Sequence, residues 1–296
     1  MSMNIKKYLN NLEDLSNKEI LVTGGTSGIG LSIVKELIYK HAKVVILARN
    51  IKKADTVKAA LLKDYPTADI SFIEYDQSID ESVINAANII ASNYPSFYAL
   101  ILNAGLIQER KKITYTDGYC TTIKANYIGA ALLLKHLLPE LTGEHRIIFQ
   151  GSLGAGLHIK KVTSLKEKKL GMFEQYFLSK AGIESLFYHY ANEQSNCTFY
   201  LVEPGVTNTD IIRDFVTPIR QLGKVFLKCA SHSPDKAALT SMKALQTDTR
   251  PNSFIVPRGF LTAMGYPKIK KFPTHRRREY LFEMLNQNEY KRSHLV

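Results

Sequence analysis

The sequence predicts an α/β fold in which a mainly parallel, doubly wound sheet of seven strands carries helices on both faces. Apolar runs rich in Val, Ile, Leu and aromatic residues alternate along the chain with segments of helical periodicity. Within these runs apolar and polar residues do not alternate, as is typical of strands buried on both faces. The seven predicted strands cover residues 20–24, 43–48, 70–76, 98–105, 145–152, 197–205 and 253–257.

Helical patterns fill the intervals between these strands. The first of them repeats Leu31, Val34 and Leu37 on one face, which is the spacing of a helix that packs one apolar stripe against a sheet. The four clearest helices are predicted over residues 29–40, 79–93, 117–138 and 172–193.

The domain organisation follows from the unbroken alternation of strands and helices, since no internal repeat or low-complexity linker interrupts it. We therefore expect a single domain over residues 1–296, with a polar N-terminal extension over about 1–17 and a basic C-terminal extension over about 260–296. Residues 154–171 are predicted to form a loop, and residues 209–228 an irregular helical lid.

The composition is that of a globular protein, with 45% hydrophobic and 22% charged residues. No apolar run approaches the ~20 residues that cross a bilayer, and the N-terminus lacks the apolar core of a signal peptide. We expect a cytoplasmic protein without a transmembrane segment. Cys120, Cys197 and Cys229 are too far apart for a metal or redox motif, so no metal is expected.

The net charge of +12 collects in clusters at Lys160–Lys161, Lys166–Lys169, Lys268–Lys271 and Arg276–Arg278. Such clusters could meet phosphates, nucleic acid or a membrane surface. Because no nucleic-acid-binding motif accompanies them, we expect a solvated basic surface and no nucleic-acid partner.

A glycine-rich turn follows the first strand, where EILVTGGTSGIG places Gly24, Gly28 and Gly30 before a helix. Gly24 permits a tight turn, Gly28 lets the backbone approach a pyrophosphate, and Gly30 lets the helix pack closely on the strand. Free N–H groups at the helix start would then meet phosphates, and Thr26 and Ser27 add hydroxyl donors. The spacing differs from G-x-G-x-x-G and from a P-loop, and a turn of this kind can also simply connect two elements.

The end of the second strand indicates which nucleotide the turn would hold. NAD sites usually place an acidic residue there for the ribose 2′-hydroxyl, whereas this strand ends in Arg49, with Lys52 and Lys53 nearby. A guanidinium is suited to a 2′-phosphate, so the sequence favours NADP(H) over NAD(H). The alternative is an ordinary surface arginine.

Candidate reacting groups lie on the last predicted helix and at the end of the fifth strand. Tyr176 and Lys180 are four residues apart and share a helix face. An ammonium beside a phenol favours the phenolate and would lower the pKa of Tyr176, making it a general acid/base. Ser152 follows the fifth strand, where strand ends line a ligand crevice. Asn126 lies within a predicted helix, although its amide is a poor helix former.

Taken in order, these pieces resemble the short-chain dehydrogenase/reductase family, which has a Rossmann-type fold. The resemblance covers about residues 18–257 and is carried by TGGTSGIG, Asp76, NAG, Asn126, Ser152, YFLSK and PGVTNT. The retinol-dehydrogenase and protochlorophyllide-reductase branch carries a T-x-D-G turn, and this chain resembles it in Thr116-Asp117-Gly118 and in the long gap between Ser152 and Tyr176. Gly151 departs from the family's usual serine, and no basic residue stands in the glycine turn.

The resemblance implies a role for each reacting group. Tyr176 would pass a proton to or from the substrate oxygen, and Lys180 would bind the nicotinamide ribose and tune Tyr176. Ser152 would orient the carbonyl, and Asn126 would hold a water in a proton relay.

The resemblance also implies the cofactor contacts. Asp76 would lie near the adenine, Asn103 to Gly105 on the adenine-ribose side, and Pro204 to Thr209 at the nicotinamide end. The full implied set is Gly24, Thr26, Ser27, Gly28, Ile29, Gly30, Arg49, Asp76, Asn103, Ala104, Gly105, Tyr176, Lys180, Pro204, Gly205, Val206, Thr207 and Thr209.

The function predicted from these residues is an NADP(H)-dependent oxidoreductase that acts on a small-molecule alcohol, ketone or aldehyde. A catalytically inactive NADP(H)-binding sensor or regulatory protein is the main alternative, because one fold hosts many functions. Binding of nucleic acid or a membrane surface, and epimerase or dehydratase chemistry, are further alternatives. In the family, helices matching 117–138 and 172–194 often pair across subunits, which implies a homodimer or homotetramer. No motif identifies the substrate.

Overall fold

The computed structural model describes residues 2–108, 113–155, 165–166, 170–193, 196–207, 232–259, 265–271 and Glu283. Several sequence predictions lie outside these residues, namely Thr209, Cys229, the segment 209–228, most of the loop 154–171, most of the extension 260–296, and the basic clusters at Lys160–Lys161 and Arg276–Arg278 with part of that at Lys166–Lys169.

An eight-stranded sheet forms the centre of the molecule, in the order β10-β9-β8-β7-β4-β1-β2-β3. All neighbouring pairs are parallel except β10 and β9. Two further short strands form a hairpin outside the sheet. In chain order the strands are β1 Glu19–Thr23, β2 Lys43–Ala48, β3 Ile70–Glu74, β4 Ala99–Leu102, β5 Tyr115–Thr116, β6 Tyr119–Cys120, β7 His145–Gln150, β8 Cys197–Val202, β9 Phe254–Pro257 and β10 Pro267–Lys270.

The helices lie between the strands, as the alternation of patterns predicts. They are α1 Met3–Asn10, α2 Gly28–Tyr39, α3 Ile51–Asp64, α4 Asp80–Asn93, α5 Thr121–Ile123, α6 Gly129–Leu137, α7 Met172–Asn192 and α8 Pro234–Ala244, with a π-helical turn at Lys124–Ile128 and a 3₁₀ turn at Leu138–Glu140. Within the described parts of the chain, no helix combines the length and apolar character needed to cross a bilayer.

The predicted fold class is confirmed, but the count of seven strands is one too low. All seven predicted strands are present, and the additional strand is β10, which runs antiparallel to β9 at the sheet edge. Its sequence, PKIK, begins with proline and carries two lysines. Such a polar edge strand gives little of the apolar signal by which a buried strand is recognised.

Two hydrophobic clusters cover the two faces of the sheet, and the alternation of side chains in β1 separates them. Leu21 belongs to the cluster that includes residues of α4, α6 and α7. Ile20 and Val22 belong to the cluster that includes residues of α1, α2, α3 and α8. Successive residues of a strand point to opposite faces, so both faces of the sheet are buried.

The N-terminal segment, predicted as a polar extension, contains an amphipathic helix. In α1 the side chains of Ile5 and Leu9 are buried in the cluster on the α2 side of the sheet. They are four residues apart and therefore share one helix face. Because only these two positions are buried and the residues around them are mostly polar, the sequence pattern does not indicate a buried helix here.

The helix predicted over 117–138 begins later, at Thr121. Asp117 and Gly118 have φ angles of 53° and 86° and form the turn between β5 and β6, which excludes them from a helix. The apolar side chains of α6 and α7, such as Leu134 and Leu186, are buried within the chain. Pairing of these helices across subunits remains a prediction.

Candidate active site

A cavity of about 550 Å³ opens at the carboxyl ends of the parallel strands. The strand order reverses between β1 and β4, which lie on either side of this crevice, and ligands of open α/β sheets bind at such a point. The predicted residues that line the cavity are Gly24, Thr26, Ser27, Gly28, Ile29, Gly30, Arg49, Asp76, Asn103, Ala104, Gly105, Tyr176, Lys180 and Pro204.

The glycine turn has the geometry of a phosphate cradle. Gly24 and Gly28 have φ angles of +72° and +55°, which favour glycine. A Cβ on Gly24 would lie 2.9 Å from the Cα of Ala104, and one on Gly30 would collide with the carbonyl of Gly24. The Ser27 side chain makes no capping bond at the start of α2, which leaves the first backbone N–H groups of this helix available to a bound anion. This arrangement fits a dinucleotide.

The loop after β4 is tied to the end of β1. Asn103 donates through Nδ2 to the carbonyl of Thr23 over 2.9 Å, and the N–H of Ala104 donates to Thr23 Oγ1 over 2.9 Å. Asn103 therefore lines the cavity while its amide holds the glycine turn in place.

Asn126 lies behind the cavity wall rather than in it. It is 1% exposed and sits in the π-helical turn. Its Oδ1 accepts from the N–H of Leu106 over 2.8 Å, and its Nδ2 donates to the carbonyl of Leu106 over 2.8 Å and to Ser179 Oγ over 3.1 Å. Because Leu106 lines the cavity, Asn126 positions that wall.

Lys180 lies on α7 and is buried against the end of β7. Its Nζ donates to the carbonyl of Gln150 over 2.9 Å. A Cβ on Gly105 would lie 3.6 Å from this nitrogen and 3.6 Å from Asn126 Oδ1, so the lysine and Asn126 approach the same loop. Burial lowers the pKa of Lys180 to about 8, and the charge of Glu184 opposes this shift.

Tyr176 lines the cavity on the adjoining turn of α7, whereas Ser152 is not among the residues that line it. Burial raises the pKa of Tyr176, and the nearby side chain of Ser152 acts in the opposite direction. The expected lowering of this pKa by Lys180 is therefore wrong for this structure. The reason is that burial outweighs the other influences on the phenol, and the ammonium of Lys180 points to Gln150 instead.

Two cationic side chains, those of Arg49 and Lys53, line the end of the cavity that follows β2. Arg49 is exposed and lines the cavity together with Asn50 and Lys53. Asn50 caps α3, where its Oδ1 accepts from the N–H of Lys53 over 2.9 Å, and this cap fixes the direction of the first helical turn. Lys52 does not line the cavity.

Asp76 lines the same end of the cavity, but its carboxylate is engaged locally. Its Oδ1 accepts from the N–H of Ser78 over 2.9 Å and from the hydroxyl of Ser78 over 2.6 Å. The residue thus shapes the wall after β3.

The segment after β8 lies at the opposite end from Arg49. Pro204 lines the cavity, whereas Gly205, Val206 and Thr207 lie next to it in sequence without lining it. His232 holds this segment, since its Nε2 donates to the carbonyl of Pro204 over 2.5 Å.

Sequence reasoning missed His232 and the role of the Gln150 carbonyl. His232 belongs to no motif, and it reaches Pro204 across 28 residues of chain. Every residue has a backbone carbonyl, so the residue type does not indicate that Gln150 accepts a hydrogen bond from Lys180. The only signal in the sequence is the position of Gln150 near the end of a predicted strand.

Comparisons with known proteins agree with this geometry. The family model described as short chain dehydrogenase matches residues 18–218. An uncharacterized oxidoreductase of Schizosaccharomyces pombe is 29% identical over 260 residues, covering 82% of this chain and 76% of the relative. The chloroplastic short-chain dehydrogenase TIC 32 B of Brassica napus is 28% identical over 260 residues, covering 80% and 78%.

A solved structure shares the fold. The crystal structure of a short chain dehydrogenase from Burkholderia cenocepacia, in complex with NADP, has a TM-score of 0.62 and 22% identity, covering 80% of this chain and 93% of that one. The relatives support the predicted retinol-dehydrogenase and protochlorophyllide-reductase-like branch as well as the family. The cavity and the family match lead to one conclusion: the chain belongs to the short-chain dehydrogenase/reductase family of oxidoreductases.

Proposed function

We propose that this oxidoreductase uses NADP(H) to interconvert an alcohol and a ketone or aldehyde, with Tyr176 as the general acid/base. The observation that carries the proposal is the continuity of one cavity from the glycine turn and Arg49 to Tyr176. Anion-binding backbone donors, a guanidinium and a proton-carrying hydroxyl therefore line a single space, which suits a dinucleotide with a reacting group at its far end.

The nucleotide would lie along the cavity with its phosphates at the start of α2. The preference for NADP(H) rests on Arg49 and Lys53, which line the cavity after β2 and could form charge-assisted hydrogen bonds to a 2′-phosphate. When bound, the nicotinamide supplies or accepts the hydride.

Tyr176 would exchange a proton with the substrate oxygen. Its raised pKa keeps the phenol protonated, as is needed for donation to the oxygen of a carbonyl that is being reduced. Ser152 would share that oxygen, because its side chain is near enough to the phenol of Tyr176 to oppose the rise of its pKa.

Lys180 would act beside this pair as a second titrating group. Its pKa of about 8 means that the amine gains and loses its proton close to physiological pH. The charge of Lys180 could therefore change when Tyr176 gives up or regains its proton. Its bond to Gln150 keeps the amine in place. Asn126 would support the reaction by holding the cavity wall at Leu106.

The test compares the wild type with Tyr176→Phe on a panel of aldehydes, ketones and alcohols, followed by the absorbance of NADPH. Loss of the acid/base should reduce turnover by about 10²-fold or more. The affinity for NADPH should stay within about twofold, because removal of one hydroxyl leaves the glycine turn intact. The protein contains no tryptophan, so binding can be followed by nicotinamide fluorescence without an indole background.

The matched control is Tyr190→Phe, the same substitution on the same helix. Tyr190 stacks on Phe199 at a centroid distance of 5.6 Å and does not line the cavity, so turnover should be unchanged. Undiminished turnover in Tyr176→Phe would refute the assigned role. NADPH binding by the wild type without turnover of any compound on the panel would favour the sensor.

A further inference from the structure

His232 connects the base of α8 to the cavity segment after β8. It precedes Ser233, the N-cap of α8, and is 8% exposed. Its backbone N–H donates to the carbonyl of Val206 over 3.0 Å, and it forms a parallel bridge with Thr207. Its ring holds Pro204 as well, so one residue fixes this segment through backbone and side chain.

The ring of His232 serves as a single hydrogen-bond donor. A carbonyl oxygen only accepts, so the proton must reside on Nε2, which contacts the carbonyl of Pro204. The other nitrogen, Nδ1, is buried and has no hydrogen-bond partner among the residues that the structure describes. An unpartnered buried nitrogen is rare in folded proteins and calls for an explanation. The unpartnered Nδ1 is explained if the chain requires the hydrogen bond that Nε2 donates to Pro204.

The base of α8 is in turn fixed to the helix that follows the glycine turn. Asp235 Oδ1 accepts from the hydroxyl of Ser32 on α2 over 2.7 Å. Ala237, Ala238 and Leu239 are fully buried beyond it. Helix α2, which starts at the glycine turn, therefore holds the base of α8. The base of α8 in turn holds His232 against Pro204.

We propose that His232 is a positioning residue that sets Pro204 and the backbone through Thr207 for the nicotinamide half of the dinucleotide. The inference rests on the proposed function, since it presumes that a dinucleotide fills the cavity. His232 itself does not line the cavity and acts through the carbonyl of Pro204.

The test uses two ligands that share only one half. NADPH would extend along the cavity from Arg49 to Tyr176, whereas adenosine 2′,5′-bisphosphate carries the 2′-phosphate but no nicotinamide. In the full-length protein, His232→Leu removes the donor, and His232→Gln places an amide nitrogen where it can still donate. Dissociation constants are measured for both ligands by calorimetry.

His232→Leu should weaken NADPH binding about tenfold, as expected for the loss of one buried hydrogen bond that orders a contact segment. Binding of the bisphosphate should stay within about twofold, and His232→Gln should restore most of the NADPH affinity. A residue needed only for folding would affect both ligands alike.

The matched control is His136→Leu on α6. His136 also has a buried ring nitrogen that finds no partner within the described ranges of the chain, and it does not line the cavity, so both affinities should be unchanged. Equal effects of His232→Leu on both ligands, or none on either, would overturn the inference. A wild type that binds neither ligand would instead overturn the proposed function, and this inference with it.

Discussion

Replacing Asn126 with alanine tests whether this residue positions the cavity wall or takes part in the reaction. The amide makes three hydrogen bonds, two of 2.8 Å to the backbone of Leu106 and one of 3.1 Å to Ser179 Oγ. Each such bond contributes about 1 kcal/mol net. Leu106 is only half-buried, so water can replace part of what is lost. We expect the free energy of unfolding to fall by about 2–3 kcal/mol.

Turnover should fall as well, since Gly105 and Leu106 form the wall that Asn126 holds. A shift of this wall by an ångström would reduce turnover by about 10²-fold. The assays are urea unfolding followed by circular dichroism and the NADPH-coupled rate. As a control, Asn192→Ala removes an exposed asparagine amide on α7 and should change stability by less than about 0.5 kcal/mol.

Two outcomes would contradict this reasoning about Asn126. Unchanged stability in Asn126→Ala would mean that other contacts suffice to hold Leu106. Full stability combined with lost turnover would place Asn126 in the reaction itself, as the water-holding role implied by the family resemblance requires.

Three further predictions follow from other sites. Arg49→Asp should shift the ratio of NADPH to NADH affinity towards NADH by about tenfold or more; an unchanged ratio in fluorescence titrations would move the 2′-phosphate to Lys53. Glu36 is fully buried and neither of its oxygens has a partner in the described part of the chain, and burial, followed by the charge of Asp235, raises its pKa well above 4.5. Its contribution to stability is therefore full below the unfolded pKa and declines as pH rises to the folded pKa. Glu36→Gln should stabilise the protein by about 1.4 kcal/mol per pH unit across that window, and a gain independent of pH in chemical unfolding would contradict this. Gly30→Ala should cost about 1–3 kcal/mol and abolish NADPH binding, because its Cβ would collide with the carbonyl of Gly24; calorimetry showing retained binding would refute the cradle.

The elements that could be predicted are those whose signal is local. Each buried strand carries its own apolar run, and the glycine turn requires positive φ at Gly24 and Gly28, which restricts the residue types in a way the sequence records. The four-residue spacing of Tyr176 and Lys180 follows from helix geometry alone. These features can therefore be predicted from a short stretch of sequence without knowing how the rest of the chain folds.

Contacts between residues distant in sequence carry no comparable signal. The pairing of β10 with β9, the bond from His232 to Pro204, and the attachment of Asn126 to Leu106 all depend on where the chain returns in space. The raised pKa of Tyr176 carries no sequence signal for the same reason, because burial is a property of the assembled cavity.

The sequence by itself therefore determined the fold class and the glycine turn, and it supplied the side chains that we propose to react, since each rests on residue types a few positions apart. Only the tertiary structure decided which groups meet, which way Lys180 and Asn126 direct their polar atoms, and which carboxyl and phenol have a raised pKa. Hydrogen bonding and desolvation depend on distances between segments, and those distances exist only once the sheet and its helices have packed.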